Sequence, residues 1–289
     1  MTWTLTADLG EYLAAAGGFL RSRPVDNTIQ LVALDSLEAH GLSAFGHVAP
    51  LFGWWRSGAG PVTAALLHTP PFPVLLTRLP ADTAGNPAGD LAEVLAGRGR
   101  QLPGVNAEQG DAEAFAAAWS RLTGATWREF RRSRLFRLEQ LVAPDPSPPG
   151  AARVATAADR GLLESWLAAF RQELADLGGP GAGMIEDRIS HGGLTLWEAG
   201  GAAVSLAGST RPVEGVIRLG PVYTPPEQRG RGYGGAVTAA VSRAALDAGA
   251  AHVVLFTDLA NPTSNALYRR LGYRPVEGRL VLKFEAQGP

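Results

Sequence analysis

The chain has 289 residues, of which 46% are hydrophobic and 18% charged, a composition that excludes a disordered polypeptide and suits two domains of ordinary size. With 26 basic against 27 acidic side chains, the formal net charge is -1, lacking the positive excess that phosphate-backbone binding requires. Cysteine is absent, which removes disulfides, thiolate metal sites and a cysteine nucleophile.

Residues 1–8 show no charged region followed by an apolar run, so no signal peptide is expected. No run approaches the ~18 apolar residues of a spanning helix. A cytoplasmic protein with neither membrane nor nucleic acid as partner is the expectation. In chain order, helical spacing covers 9–20 and 28–37, followed by strand-like runs at 51–55, 62–68 and 74–79. A helix at 91–96, a short strand at 104–106, a helix at 112–122 and a strand at 127–138 complete the first half. Trp54 and Trp55 read as core, with a substrate-groove wall as the alternative. The strand at 127–138 interleaves Arg128, Arg131, Arg132, Arg134 and Arg137 with Trp127, Phe130, Leu135 and Phe136, as a solvated face against a buried one does.

Residues 143–150, Ala-Pro-Asp-Pro-Ser-Pro-Pro-Gly, form a stiff extended connector, because proline removes backbone donors and fixes φ. The expected division is therefore 1–143, a linker at 144–150, and 151–289. Beyond it, 157–177 reads as a helix with Leu163, Trp166, Leu167 and Phe170 on one face, ended by Gly178-Gly179-Pro180. Strand-like runs follow at 194–198, 202–207 and 216–223, then a helix at 234–248 and an apolar strand at 252–257. Asn261-Pro262 opens another helix, Gly272 closes it, and 280–285 is a last strand. The two halves share one element order, and the segment 119–124 falls where 268–272 falls in the second half, which suggests an internal duplication.

The chemically informative stretch runs from Gly220 to Gly235. It is a strand, a turn broken by Pro225 and Pro226, and a corner in which Gly230, Gly232, Gly234 and Gly235 open a helix. Unpaired N–H groups at a helix N-terminus, joined here by Arg229 and Arg231, suit a pyrophosphate. Taken alone, Gly230 and Gly232 also suit a plain strand-to-helix turn. A Walker loop would need Lys followed by Ser or Thr after the glycines, and a dinucleotide fingerprint would need its glycines early in a βαβ unit; neither fits.

Arg229-x-x-Gly232-x-Gly234 resembles the pyrophosphate loop of the GCN5-related N-acetyltransferase (GNAT) superfamily. Downstream, Asn261 to Tyr273 (NPTSNALYRRLGY) resembles the superfamily's Asn-rich helix, which ends in Tyr-x-x-Leu-Gly-aromatic. The resemblance implies an α/β fold with a mixed, mostly antiparallel central sheet flanked by helices, duplicated as two lobes. It implies acetyl-CoA as co-substrate and an N-acetyltransferase that passes its acetyl group to a small-molecule or peptide amine by direct attack in a ternary complex. A non-catalytic CoA-binding module, and a transferase of another short acyl-CoA, are the alternatives. CoA contacts carried over are Val222, Tyr223 and Thr224 for the pantetheine arm, the segment Arg229, Gly230, Arg231, Gly232, Tyr233, Gly234 and Gly235 for the pyrophosphate, and Asn261 with Asn265 near the arm. Tyr268 matches the tyrosine beside the CoA sulfur and is the candidate acid; as the bland alternative it is a helix aromatic packed on the sheet. Glu173, Glu186, His191 and Glu214 are open candidates for the base. The five histidines lack metal-site spacing, so no metal is expected. The first half has no counterpart of the glycine loop: residues 78–85 stand in its place without the spacing. That half is expected to shape the acceptor groove or to form a homodimer.

Overall fold

The computed structural model describes residues 2–81, 85–174 and 184–285. Two compact units emerge: Met1–Arg134 with Glu277–Pro289, and Leu135–Val276. The last stretch of chain thus belongs to the first unit, a division that chain order does not give. No described helix is long and apolar enough to cross a membrane.

The first unit runs β1 (Thr2–Thr6), α1 (Leu9–Arg21), α2 (Thr28–His40), β2 (Leu51–Arg56), β3 (Val62–His68), β4 (Val74–Leu76), α3 (Pro87–Gly97), β5 (Gly104–Ala107) and α4 (Gln109–Thr123), leading into β6 (Thr126–Leu138). β1 to β4 pair as antiparallel neighbours, whereas β4 and β5 are parallel through Val74–Val105 and Leu75–Asn106. The parallel step requires a crossover, and α3 supplies it. Trp55, Leu66, Leu76 and Val105 pack with Leu91, Leu95, Phe115 and Trp119 of α3 and α4 in one core. On α1, Tyr12 stacks on Phe52 with centroids 5.1 Å apart. Trp55 is fully buried and Trp54 nearly so, in line with the core assignment. β1 was not legible in the sequence.

The second unit repeats the order: β7 (Ala151–Val154), α5 (Arg160–Glu173), α6 (Met184–Ser190), β8 (Leu194–Ala199), β9 (Ala202–Ser209), β10 (Val216–Tyr223), α7 (Tyr233–Asp247), β11 (His252–Asp258) and α8 (Pro262–Arg270), with β12 (Tyr273–Glu285) following. β7 to β10 are antiparallel neighbours and β10 is parallel to β11. The mixed, mostly antiparallel sheet with helices on both faces is therefore present, and the shared order fits a tandem duplication. α5 begins after a capping box in which Thr156 N donates to Asp159 at 2.8 Å. The bidentate hydrogen bonds of Arg153 hold the Asp159 carboxyl well below the usual carboxylate range. The expected helix over 157–177 is α5 preceded by a 3₁₀ turn at Ala157–Asp159; its proposed stop at 178–180 lies outside the described residues.

Two cores sandwich this sheet. On one face Ile217, Leu219, Val253 and Leu255 meet Val237, Val241, Tyr268 and Leu271 of α7 and α8. On the other, Leu163 and Leu167 of α5 meet Leu194, Leu196 and Leu206. Each such buried side chain contributes roughly 1.5–3 kcal/mol, which fixes where the ends of β10 and β11 lie.

Candidate functional site

β10 and β11 pair as parallel strands from Val216–His252 to Leu219–Leu255, and the ladder goes no further. β10 nonetheless continues to Tyr223 and β11 to Asp258. The sequence explains the break. Pro221 has no N–H to donate, and the register with β9 slips between Leu219 and Val222 before resuming at Val222–Ala207 and Tyr223–Leu206. Val222 and Tyr223 are thus held on one side by β9 while the side toward β11 is open. Ser205, itself fully buried, fixes the strand end: its hydroxyl donates to Tyr223 O at 3.1 Å and lies 2.8 Å from Thr224 Oγ1. No local pattern marks Ser205, which reads only as a polar residue within a strand.

From Thr224 the chain makes a 3₁₀ turn over Pro226–Gln228 and enters the glycine corner. Gly230 and Gly232 have φ of 75° and 85°, and Gly232 is the N-cap of α7. L side chains seldom adopt that backbone, and nothing crowds Gly230. Tyr233 is buried at the first turn. A Cβ on Gly234 would lie 3.3 Å from Thr224 Oγ1 and one on Gly235 3.1 Å from Leu267, so these glycines let α7 pack close to β10 and α8. The linker passes alongside: Pro148 is the neighbour of Gly232 and Pro144 of Gly235. Both loop arginines are exposed, but Arg229 donates to Thr224 O at 2.9 Å and to both oxygens of Glu173 at 2.6 and 2.8 Å.

Across the opening stands α8. Asn261 caps it, its side chain accepting from Ser264 N at 3.0 Å. Asn265 donates to Asp258 O at 2.8 Å and to Asn261 O at 2.7 Å, tying the end of β11 to the helix. Tyr268 is 7% exposed and meets Tyr273 edge-on at 6.1 Å, while Tyr273 shares a 2.7 Å hydrogen bond with Ser242. Burial pushes the Tyr268 phenol up to about 12, so it stays protonated across the neutral range.

The four base candidates are not brought to one place. Glu173 is engaged by Arg229, and Glu186 by Arg160. Glu214 sits in the turn before β10, ~8 residues or roughly 26 Å of strand from Val222. His191 follows α6, with Nδ1 2.7 Å from Asp187 O and Nε2 buried without a partner among the described residues. Among the described residues no group of three His, Cys, Asp or Glu is arranged to hold a metal.

The first unit treats the equivalent opening differently. There β4 and β5 also part after two pairs, and Arg279 fills the gap. Its guanidinium donates to Leu76 O at 2.9 Å, Asn106 O at 2.8 Å and Asn106 Oδ1 at 2.9 Å, and pairs with Glu277 at 3.1 Å. Arg279 is only 3% exposed.

A β-α-α-β-β-β-α-β-α unit with a parallel pair that parts above a helix N-terminus is the GNAT fold, and this chain carries it. Residues 205–281 match the family model for FR47-like protein. A Drosophila protein of solved structure superposes with a TM-score of 0.68 at 17% identity, covering 99% of each chain. A GCN5-related N-acetyltransferase from Sphaerobacter thermophilus gives 0.59 at 16% identity over 99% of this chain and 97% of that one. A tandem GNAT protein from the clavulanic acid biosynthesis pathway gives 0.54 at 16% identity over 99% of each. No curated protein sequence matches significantly.

Proposed function

We propose that the second unit is an N-acyltransferase that moves an acetyl group from acetyl-CoA to an amine. The observation that carries this reading is the parting of β10 from β11 after Leu219 and Leu255, directly before the Gly230–Gly235 corner that opens α7. An extended pantetheine arm would use the open side of Val222, Tyr223 and Thr224 as a further strand. The pyrophosphate would rest on the N–H groups of the α7 corner, and Arg231 is the exposed cation beside it. Asn261 and Asn265 keep the far wall in place through backbone bonds.

In the reaction the neutral amine attacks the thioester carbonyl, forming the N–C bond, and the C–S bond breaks. A backbone N–H of the open β10 stretch would stabilise the developing oxyanion. The departing thiolate takes the Tyr268 proton, and the nitrogen releases one to a base or to water. Transfer is direct on this reading, and no cysteine is present to carry an acyl group. We assign the first unit no CoA, since Arg279 occupies the place the arm would take. Its role is then the acceptor groove or a homodimer contact.

Calorimetry with acetyl-CoA and CoA, paired with an Arg229→Ala/Gly232→Val variant, tests the site, and thiol release with a panel of amines tests turnover. Binding lost in the variant and thiol release dependent on amine are the expected results. Binding without turnover of any amine would leave the non-catalytic CoA module, and faster turnover with a longer acyl-CoA would replace acetyl as the donor group.

A further inference from the structure

On the face of the sheet away from α7, the α6 helix sends Arg188 onto the end of β10. Its Nη1 donates to Gly220 O at 2.5 Å, and Gly208 is a glycine where a Cβ would collide with that same nitrogen. Arg188 is therefore built in, over β9 and beside the register slip. A guanidinium has five N–H donors. Among the described residues, Gly220 O is the one hydrogen-bond acceptor Arg188 has. The side chain as a whole is only partly buried, so solvent reaches part of it.

Arg218 lies two residues before Gly220 on the same side of β10, opposite Ile217 and Leu219, which point into the α7 core. Burial pushes Arg188 down to about 10, and burial together with the Arg188 charge does the same to Arg218. Both stay charged at neutral pH. Arg211 and His191 flank them, and Asp187 between those two accepts from Arg211 at 2.8 Å. Arg188, with Gly220 O as its one acceptor among the described residues, has donors left for an anion, and the free edge of a guanidinium matches the two oxygens of a carboxylate.

The place matters as much as the charge. CoA, on the reading above, enters between β10 and β11 from the α7 corner, which leaves the α5/α6 face for the acceptor. Gly220 precedes Val222 by two strand residues, about 7 Å. A carboxylate held at Arg188 puts an amine a few bonds away within reach of the acyl carbonyl. We infer that Arg188 binds the carboxylate of the acceptor, and that the acceptor is a small amino acid or a close relative. This rests on the acyl-transfer reading and adds the substrate class to it.

The test sets α- and β-amino acids against the amines that lack only the carboxylate, and against the matching aminoalkyl phosphonates, with acetyl-CoA and thiol release. Turnover at least about tenfold greater with the carboxylate, and a Km for the amino acid raised at least about tenfold in Arg188→Lys at unchanged Km for acetyl-CoA, are expected. Equal turnover of amine and amino acid, or turnover confined to phosphonates, overturns it. A second measurement needs no turnover: N-acetyl amino acids and their carboxamides are titrated into the whole protein by calorimetry. Preference for the acid that disappears in Arg188→Lys supports the subsite; acid and amide binding alike, or neither binding, refutes it. Failure to bind acetyl-CoA would remove the acyl-transfer reading alone.

Discussion

Arg229 grips the Glu173 carboxylate with two hydrogen bonds, of 2.6 and 2.8 Å, so the first residue of the glycine loop is tied to the last turn of α5. The pair is open to water, 47% and 44% exposed, and its guanidinium also lies 5.9 Å over the Tyr223 ring. Exposed pairs of this kind contribute little to stability, and a pyrophosphate carries more charge than one carboxylate. Glu173→Gln should therefore tighten CoA binding by about threefold, with the gain shrinking as salt is added. Calorimetry at two ionic strengths decides. Weaker binding in the variant would make the pair a tether that holds the loop in shape.

Tyr268→Phe keeps the ring against Tyr273 and removes only the proton. On the proposed chemistry kcat should fall by roughly 100-fold with CoA affinity unchanged. Because burial lifts the phenol to about 12, the wild-type rate should show no loss attributable to Tyr268 up to about pH 11. A Phe variant with wild-type kcat would leave the tyrosine a packing residue only.

Arg279 lies in the buried gap between β4 and β5 of the first unit. Replacing it with Met strands Leu76 O, both Asn106 oxygens and the Glu277 carboxylate without their donor. A loss of about 3–5 kcal/mol in urea unfolding is expected, since breaking a buried charged network costs that much. In the wild type the filled gap predicts one CoA per chain. A calorimetric stoichiometry of two would contradict the assignment of Arg279 as the plug.

His68 is 1% exposed, and its Nδ1 accepts from Arg100 Nε at 3.4 Å, a contact that needs the neutral ring. Burial first, then the Arg100 charge, brings it down to about 4 from an ordinary value near 6.5. The unfolded chain then binds the proton more readily than the folded one between those values. Its contribution is full above about pH 6.5 and is lost as the pH falls through 4, roughly 3 kcal/mol in all. Urea unfolding across that range should show the slope, and His68→Gln should flatten it. An unchanged slope would assign the acid sensitivity to other groups.

Much of the second unit could be read from the chain itself. The glycines at 230 and 232, the Asn261-Pro262 cap and the Tyr268-to-Tyr273 ending are local patterns, because φ preferences and capping act over a few residues. Strand limits were less legible where burial or sheet pairing sets them. β12 begins at Tyr273, seven residues before the apolar run that signals it, and β1 carries no signal at all. The linker at 143–150 lies inside the second unit, which begins at Leu135, and Glu277 and the residues after it join the first unit, where Leu280 and Leu282 pack with a core far away in sequence.

The sequence by itself determined the fold class and pointed to the Gly230–Gly235 corner and Tyr268 as candidates, since each is written in neighbouring residues. Only the tertiary structure decided what the charged side chains do. Arg229 reaches Glu173, Arg188 reaches Gly220, and Arg279 reaches Leu76 and Asn106. A long flexible side chain takes its partner from whatever the packed helices and strands bring within about 3 Å, and no spacing rule along the chain encodes that choice.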